Sequence, residues 1–133
     1  MRIISIEGIG SVYAEKLLGV GIKTTEALLE KGATPKGRET LAEATGITEK
    51  LILEWVNLAD LMRVKGVGEE YSDLLEEAGV DTVKELKHRN PENLYKAMIE
   101  TNQAKKLVRR VPTLKEVQKW VAEAAELAPV VTY

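Results

Sequence analysis

Apolar positions recur at helical intervals throughout the chain, in short stretches separated by glycine, proline and small polar residues. The clearest stretch follows Thr48, where the apolar side chains keep an i, i+4, i+7, i+11 spacing: Leu51, Trp55, Leu58 and Met62. Such a spacing places them on one face of a helix that a threonine N-cap can begin. We therefore predict an all-α protein of short helices, over residues 11–18, 25–31, 36–45, 49–62, 69–77, 82–88, 91–100, 103–110 and 114–127.

Capping residues define the ends of these predicted helices. Gly32 and Gly46 follow the last periodic positions of their stretches and are expected to end two helices. Two segments alone look strand-like, residues 2–6 and 129–133, and they either form extended tails or pair with each other. Residues that accept backbone hydrogen bonds at a helix start stand before six of the stretches: Thr24, Thr48, Asp81, Asn90, Asn102 and Thr113.

The chain contains an internal repeat. A shift of 58 positions aligns one glycine turn, residues 8–10, with a second turn, residues 66–68. The later part of the repeat matches more loosely, and the second copy carries about seven extra residues around Pro112, which we expect to split a helix there. We infer a duplication with units at residues 1–62 and 63–133. The gapless shift also pairs Tyr13 with Tyr71, Leu17 with Leu75, Gly21 with Gly79, Ile22 with Val80, Thr24 with Thr82 and Leu28 with Leu86.

Composition limits the chemistry that this sequence can perform. The chain has 133 residues and no cysteine, which excludes disulfides and thiolate metal sites. It has one histidine, His88, in a polar context that is typical of a surface residue, and the carboxylates have the spacing of solvated helix faces. The first turn does not match the phosphate-binding loop of nucleotide hydrolases. We predict a non-enzymatic protein without a cofactor or a metal, which lies in the cytoplasm and does not enter a membrane.

The two glycine turns are candidate phosphate contacts. Two glycines allow backbone angles that other residues resist, and the apolar residue between them, Ile9 or Val67, is expected to point into the core. The helix that follows presents unpaired N–H groups and the positive end of its dipole, where a phosphate can bind. The alternative is a tight corner that only lets helices pack, for which the small residues Ala14 and Ser72 would be suited.

These turns resemble the hairpin of the helix-hairpin-helix superfamily, which typically reads h-x-G-h-G-x-x-x-A. Residues 6–14 and 64–72, "IEGIGSVYA" and "VKGVGEEYS", match that pattern. "ATGIT" at 44–48 is similar to a second, degenerate hairpin, with "ETNQA" at 100–104 as its counterpart. The resemblance implies two tandem helix-hairpin-helix repeats, each of four or five short helices, packed into one compact body. The whole chain is also similar to a prokaryotic tandem helix-hairpin-helix family of unknown function.

The superfamily implies a function as well as a fold. Its members commonly bind DNA without regard to sequence, through hairpin amides and nearby cations, while some bind a monovalent cation and others serve as protein–protein modules. The acidic residues Glu7, Glu69 and Glu70 depart from the binding pattern, because carboxylates at a hairpin repel an incoming phosphate. Carried onto this chain, the phosphate-facing positions are Gly8, Gly10, Ser11, Gly66 and Gly68, with Lys16 and Lys65 as the nearest cations.

A second candidate surface comes from the charge distribution. The net charge of −2 conceals an acidic first part, with 9 Lys/Arg against 15 Asp/Glu in residues 1–83, and a basic segment, with 10 against 4 in residues 84–119. If residues 103–110 are helical, two i, i+4 pairs form a basic ridge that could bind nucleic-acid backbones; alternatively this is a solvated face opposite the chain's own acidic half. We predict a sequence-independent DNA-backbone binding module, with a protein-interaction scaffold of the same fold as the alternative. The candidate cations are Lys105, Lys106, Arg109, Arg110, Lys115 and Lys119.

Overall fold

The protein is entirely helical apart from its turns and loops. The computed structural model describes all residues, 1–133, and contains no β-strand, only an isolated antiparallel bridge between Arg2 and Thr24. The predicted all-α fold is therefore confirmed. After a 3₁₀ turn at Ile3–Ser5, the helices are α1 (Ser11–Leu18), α2 (Thr25–Gly32), α3 (Pro35–Thr45), α4 (Glu49–Leu61), α5 (Glu69–Glu77), α6 (Val83–Leu86), α7 (Pro91–Lys105) and α8 (Leu114–Glu126).

The first of two units comprises Met1–Asp60 together with Val130–Tyr133. Within it, α2 packs on α3, and the 3₁₀ turn packs on α1. The last four residues belong to this unit, whereas the repeat pattern predicts that they belong to the second half of the chain. Apolar side chains form most of the interior of this unit: Ile3, Ile6, Ile9, Leu17, Ile22, Leu28, Leu41, Ile47, Ile52, Trp55, Val56 and Leu58.

Arg38 fastens the terminal segment to the first unit. Its buried guanidinium donates to the carbonyl oxygens of Gly32, at 2.8 Å, and Thr132, at 2.6 Å. The amide of Thr132 in turn donates to the Ala33 carbonyl at 2.8 Å, and the Tyr133 hydroxyl bonds to Oδ1 of Asn57 at 3.2 Å. Burial lowers the pKa of Arg38. The two strand-like ends therefore do not pair with each other.

The second unit, Leu61–Pro129, is built from α5 to α8. Helix α8 packs on α6 and α7, and α5 packs on α7. The apolar face of α8 repeats at helical intervals, so that Val117, Trp120 and Ala124 are all buried. They meet a core that consists almost wholly of aliphatic residues: Leu61, Val64, Val67, Leu74, Leu75, Val80, Val83, Leu86, Leu94, Met98 and Val108.

Most of the predicted helix starts are correct. The Thr24 and Thr48 hydroxyls accept from backbone amides three residues on, and Asn90 and Thr113 do the same with their side-chain oxygens. Thr113 forms a full capping box, because the Glu116 side chain also accepts from the Thr113 amide. The prediction that Asp81 caps the sixth helix is wrong.

Thr82 takes that role instead, with its hydroxyl accepting from the Glu85 amide at 3.3 Å. Aspartate and threonine are both favoured N-caps, so two adjacent candidates left a one-residue ambiguity that the sequence could not resolve.

The predicted helix over residues 103–110 is wrong. Helix α7 continues through residues 100–104 and ends at Lys105, so these residues do not form a second hairpin turn. Lys106 then adopts a left-handed conformation, with φ 53° and ψ 50°, and Asn102 lies inside the helix rather than at a helix start. Pro112 lies in the loop 106–113 and does not divide a helix.

The side chain of Asn102 stabilises this loop. Its amide oxygen accepts from the Val108 N–H at 2.9 Å, and its amide nitrogen donates to the Val108 carbonyl at 3.2 Å. Asparagine can thereby satisfy a backbone donor and acceptor beyond the helix end, which competes with continued helix. Lys106 ends α7 as Gly46 ends α3: Gly46 also has a positive φ, 75°, and its amide also donates to the carbonyl four residues back.

The two glycine turns have the same local geometry in both units. Gly8 has φ 92° and Gly66 has φ 90°, a region that L side chains avoid. A methyl group added at Gly8 would lie 3.4 Å from Nε1 of Trp55. At Gly66 the corresponding distance, to Nε1 of Trp120, is 3.3 Å. The first glycine of each turn therefore sets the backbone direction and leaves room for an indole.

Each indole also packs against a tyrosine of the helix that follows the turn. Tyr13 packs on Trp55 and Tyr71 on Trp120, both with ring centroids 5.1 Å apart and planes tilted by 58° and 52°. The residue between the two glycines is buried in each turn, as predicted for Ile9 and Val67. In each unit, the tryptophan of the last helix thus contacts both the glycine turn and the helix that follows that turn.

Gly8→Ser should destabilise the protein more than Gly10→Ser. Serine at Gly8 must adopt a positive φ, which costs about 1–2 kcal/mol, whereas Gly10 has φ −82° and nothing within 4 Å of an added methyl group. Serine is also a good N-cap at Gly10. Urea unfolding should show a lower midpoint for Gly8→Ser alone, and equal midpoints for the two variants would contradict this account of the turn.

Candidate nucleic-acid interface

Helix α1 begins with unpaired amides and no carboxylate. Its first intrahelical bond runs from the Ala14 amide to the Gly10 carbonyl at 2.9 Å, so the amides of Ser11, Val12 and Tyr13 precede it. Gly10 has no side chain that could accept from them, and the first turn contains no acidic residue. The positive end of the helix dipole is therefore left without a compensating charge from its own first turn.

Two cations lie beside this helix start. The amide of Ile3 donates to the Lys23 carbonyl at 3.2 Å, and the Thr25 amide donates to the Met1 carbonyl at 2.8 Å. This short pairing of residues 1–3 with residues 23–25 brings Arg2 and Lys23 to one side of α1. Both side chains are exposed, and neither forms an ion pair.

Arg2, Lys23 and Ser11 line a single open depression of about 480 Å³. Its other walls are apolar or neutral, except for the carboxylate of Glu15. We name it the α1 depression, with the lining residues Arg2, Ile3, Ile4, Ser11, Ala14, Glu15, Leu18, Lys23 and Thr24. Arg2 and Lys23 are not among the predicted site residues, because the pairing of residues 1–3 with 23–25 is nonlocal and no motif in the sequence signals it.

The remaining hairpin candidates lie at or near this helix start. Gly8 and Gly10 are exposed on the turn itself. Lys16 is also exposed but does not line the α1 depression, and its ammonium lies 6.0 Å from the Tyr13 ring centroid. The first turn thus combines two exposed glycines, the Ser11 amide and nearby cations with one exposed carboxylate, that of Glu7, directly before Gly8.

The second turn is electrostatically different. Glu69 and Glu70 occupy the first turn of α5, where they complement the helix dipole. The backbone amide of Lys65 donates to Oε2 of Glu123 at 2.9 Å, which brings a further carboxylate to the residue before Gly66. An incoming phosphate at Gly66 or Gly68 would therefore meet three carboxylates, although the backbone geometry matches that of the first turn.

The basic ridge does not exist as a helix face. Lys105 ends α7, whereas Lys106, Arg109 and Arg110 lie in the loop, so the predicted i, i+4 pairs are not formed. The correction follows from the left-handed conformation of Lys106 described above. Lys115 and Lys119 do share one exposed side of α8.

Carboxylates of the same unit neutralise half of these cations. Lys105 bonds to Glu77, Arg109 lies 3.7 Å from Glu70, and Arg110 holds Glu116 through two bonds of 3.1 Å. The Arg109 side chain is 96% exposed, so its pair contributes little to stability. Lys106, Lys115 and Lys119 form no ion pair.

Hydrogen bonds and burial perturb the pKa values of this segment. The bonds from Arg110 lower the pKa of the Glu116 carboxyl and raise that of the Arg110 guanidinium. The bond to Glu77 raises the pKa of Lys105. Burial raises the pKa of Tyr71, against the opposing charge of Arg110, and the Tyr71 hydroxyl donates to the Arg110 carbonyl at 2.9 Å.

One group of acidic residues has a geometry that could hold a cation. Asp73, Glu76 and Glu77 on α5 each place a carboxylate oxygen within 4.8 Å of the others. The ammonium of Lys105 already bonds to Glu77, so a protein cation occupies part of this position. His88 is exposed and does not belong to this group.

The comparison with known families covers nearly the whole chain, with a match over residues 7–127. The chain belongs to the family described as Domain of unknown function (DUF4332). The expected membership of a family of unknown function is thus confirmed. No solved structure matches the chain significantly. None of the helices in this member of the family has the length and apolar character needed to cross a membrane.

The Arg110–Glu116 pair should make stability depend on pH in the acidic range. Since the folded pKa of Glu116 lies below its ordinary value, its contribution is present above about pH 4.3 and is lost as the pH falls through the folded pKa. Glu116→Gln should therefore melt below the parent at neutral pH, and the two melting curves should converge toward pH 3.

Glu100→Gln provides the matched control, because Glu100 is an exposed carboxylate of the same unit that forms no ion pair. It should melt like the parent at every pH. A constant difference between the parent and Glu116→Gln from neutral to acidic pH would contradict the assignment.

Proposed function

We propose that this protein is a cytoplasmic, non-catalytic module of the helix-hairpin-helix type that binds nucleic-acid backbones through the start of α1, without regard to sequence. The single observation that carries the proposal is the α1 depression. Its rim combines the Ser11 end of α1 with two cations, Arg2 and Lys23, that form no ion pair.

The chemistry of these groups suits a phosphodiester. Backbone amides at a helix start and an arginine fork both bind phosphate oxygens, whereas neither distinguishes one base pair from another. The open N-terminus of α1, free of acidic side chains in its first turn, is the feature that separates this turn from the second one.

The second unit has a lesser role in this proposal. Lys106, Lys115 and Lys119 are its candidate cations without a carboxylate partner, and they can add a general attraction to a polyanion. Gly66, Gly68 and Lys65 carry the turn geometry but lie among carboxylates, and Lys105, Arg109 and Arg110 are engaged with Glu77, Glu70 and Glu116.

The double replacement Arg2→Ala/Lys23→Ala should weaken DNA binding and its salt dependence. Each phosphate contact that is lost lowers the slope of log affinity against log salt by about 1, so the double variant should lose about 2. Fluorescence anisotropy with a labelled duplex, over a range of salt concentrations, measures both quantities.

Lys36→Ala/Lys50→Ala is the matched control, since it removes two exposed lysines of the same unit that do not line the α1 depression. It should keep the slope of the parent. The proposal fails if the parent binds no nucleic acid at low salt, or if both double variants lower the slope equally.

A second candidate function is protein docking through the same helix. Val12 lies in the first turn of α1 and is 65% exposed, although an apolar side chain at that position does nothing for a phosphate. The large apolar side chains that the protein leaves exposed all lie in the same unit as Val12: Met1, Ile4, Leu18 and Tyr133. Val12→Ser should leave DNA binding unchanged, and a specific loss of binding to a partner protein in that variant would favour this second function.

A further inference from the structure

The α1 depression has more than a phosphate-binding rim. Its interior is lined by aliphatic side chains, and two of these remain unusually open to solvent for their type: Ile4 is 46% exposed and Leu18 is 52% exposed. Ala14 also lines the depression, and its small side chain fills little of it. A backbone phosphate needs only the cations and amides, so the aliphatic lining has no role in the proposed function.

Cationic and aliphatic lining residues together suit a ligand in which an anionic group is attached to a flat apolar group. Arg2 and Lys23 supply two positive charges on one side, and Ile4, Ala14 and Leu18 supply the apolar surface. A volume of about 480 Å³ lies within the range of about 300–1,000 Å³ that small-molecule sites occupy. Resting on the proposed function, we infer that the α1 depression accommodates one unpaired nucleotide of a nucleic-acid strand, with its phosphate at the cations and its base against the aliphatic lining.

The two cations favour a nucleic-acid strand as the occupant of the depression. The geometry of nucleic acids then determines which base of that strand can enter it. A base inside a duplex is stacked on both faces and paired at its edge, so it cannot reach a concave surface without leaving the stack. An unpaired base at a strand end has a free face that can contact apolar side chains. The protein should therefore prefer a duplex with an unpaired extension to a blunt duplex with the same total number of phosphates, because only the first offers a free base.

Glu15 limits the affinity of the depression for any phosphate. It is the one carboxylate that lines the depression, and it lies on α1 one turn after Ser11. Its charge opposes that of the incoming phosphate, so Glu15→Gln should raise the affinity for every nucleic-acid probe without changing the ratio between them.

The first experiment compares two probes with the unmodified protein. A duplex with a short unpaired extension and a blunt duplex with the same total number of phosphates are titrated at low salt, with anisotropy as the readout. We expect the extended duplex to bind about fivefold tighter or more, because a fivefold ratio corresponds to about 1 kcal/mol, which the burial of about 40 Å² of apolar surface supplies. Equal affinities would overturn the inference and leave the proposed function standing, whereas no binding of either probe would remove both.

The second experiment fills the depression. Ala14→Leu should abolish the preference for the unpaired extension while the blunt duplex binds as before, because the cations are unchanged. Ala44→Leu is the matched control, at an exposed position of α3 outside the depression, and it should keep the preference. If Ala14→Leu does not fold, Leu18→Ser tests the same surface by removing its most exposed aliphatic side chain, and circular dichroism verifies the fold of each variant.

Two further probes distinguish other sources of the same chemistry. Adenosine monophosphate, added as a competitor, should displace the extended duplex only weakly, since it lacks the neighbouring backbone phosphates. A synthetic helical peptide with leucine and glutamate on one face should not compete at all. The inference is overturned if the mononucleotide binds as well as the extended duplex, or if the peptide binds the parent but not Ala14→Leu.

Discussion

A glycine with positive φ, packed against the edge of an indole, is the contact on which the rest of this structure depends. Gly8 faces Trp55 and Gly66 faces Trp120, at nearly equal distances from an added methyl group. Each tryptophan lies in the last helix of its unit, α4 or α8. Each glycine turn directly precedes the first helix of its unit, α1 or α5. Because the indole also packs against a tyrosine of the first helix, one side chain connects the first and the last helix of the unit.

The glycine–indole contact determines the backbone conformation at the start of α1 and of α5. The charges beside the two helix starts then make them different. The backbone conformation leaves three amides unpaired at the start of α1, whose first turn has no acidic residue of its own. At α5 the same arrangement is followed at once by Glu69 and Glu70, which complement the helix dipole themselves. One unit thus retains a candidate phosphate site, while in the other the equivalent position serves stability.

The basic segment of the second unit shows how a charge pattern alone can mislead. Its composition indicated a polyanion surface, but the loop directs Arg110 onto Glu116 and Arg109 toward Glu70. The alternative interpretation, a basic stretch that meets the chain's own acidic residues, describes these contacts better than the ridge does. A net excess of lysine and arginine in a segment therefore predicts binding only where the fold leaves the charges unpaired.

The sequence predicted those parts of the fold that local signals determine. Helices α1 and α5 begin and end where expected. Each follows a glycine turn, and each stops before a later glycine, Gly19 or Gly79, where the apolar pattern ends. The loop after α7 could not be foreseen, because Lys106 adopts a conformation that usually requires glycine and only the side chain of Asn102 compensates for it. Arg2 and Lys23 could not be paired from the sequence either, as 21 positions separate them and one isolated bridge brings them together.

The most direct test of the central claim is a two-dimensional ¹H–¹⁵N NMR titration of the labelled protein with a short DNA duplex at low salt. The two turns share a backbone geometry and differ in charge, so shift changes should concentrate on the amides of Ser11, Val12 and Tyr13. The amides of Glu69, Glu70 and Tyr71 provide the internal comparison and should move little. Equal shifts at both helix starts, or shifts confined to residues 105–119, would contradict the account.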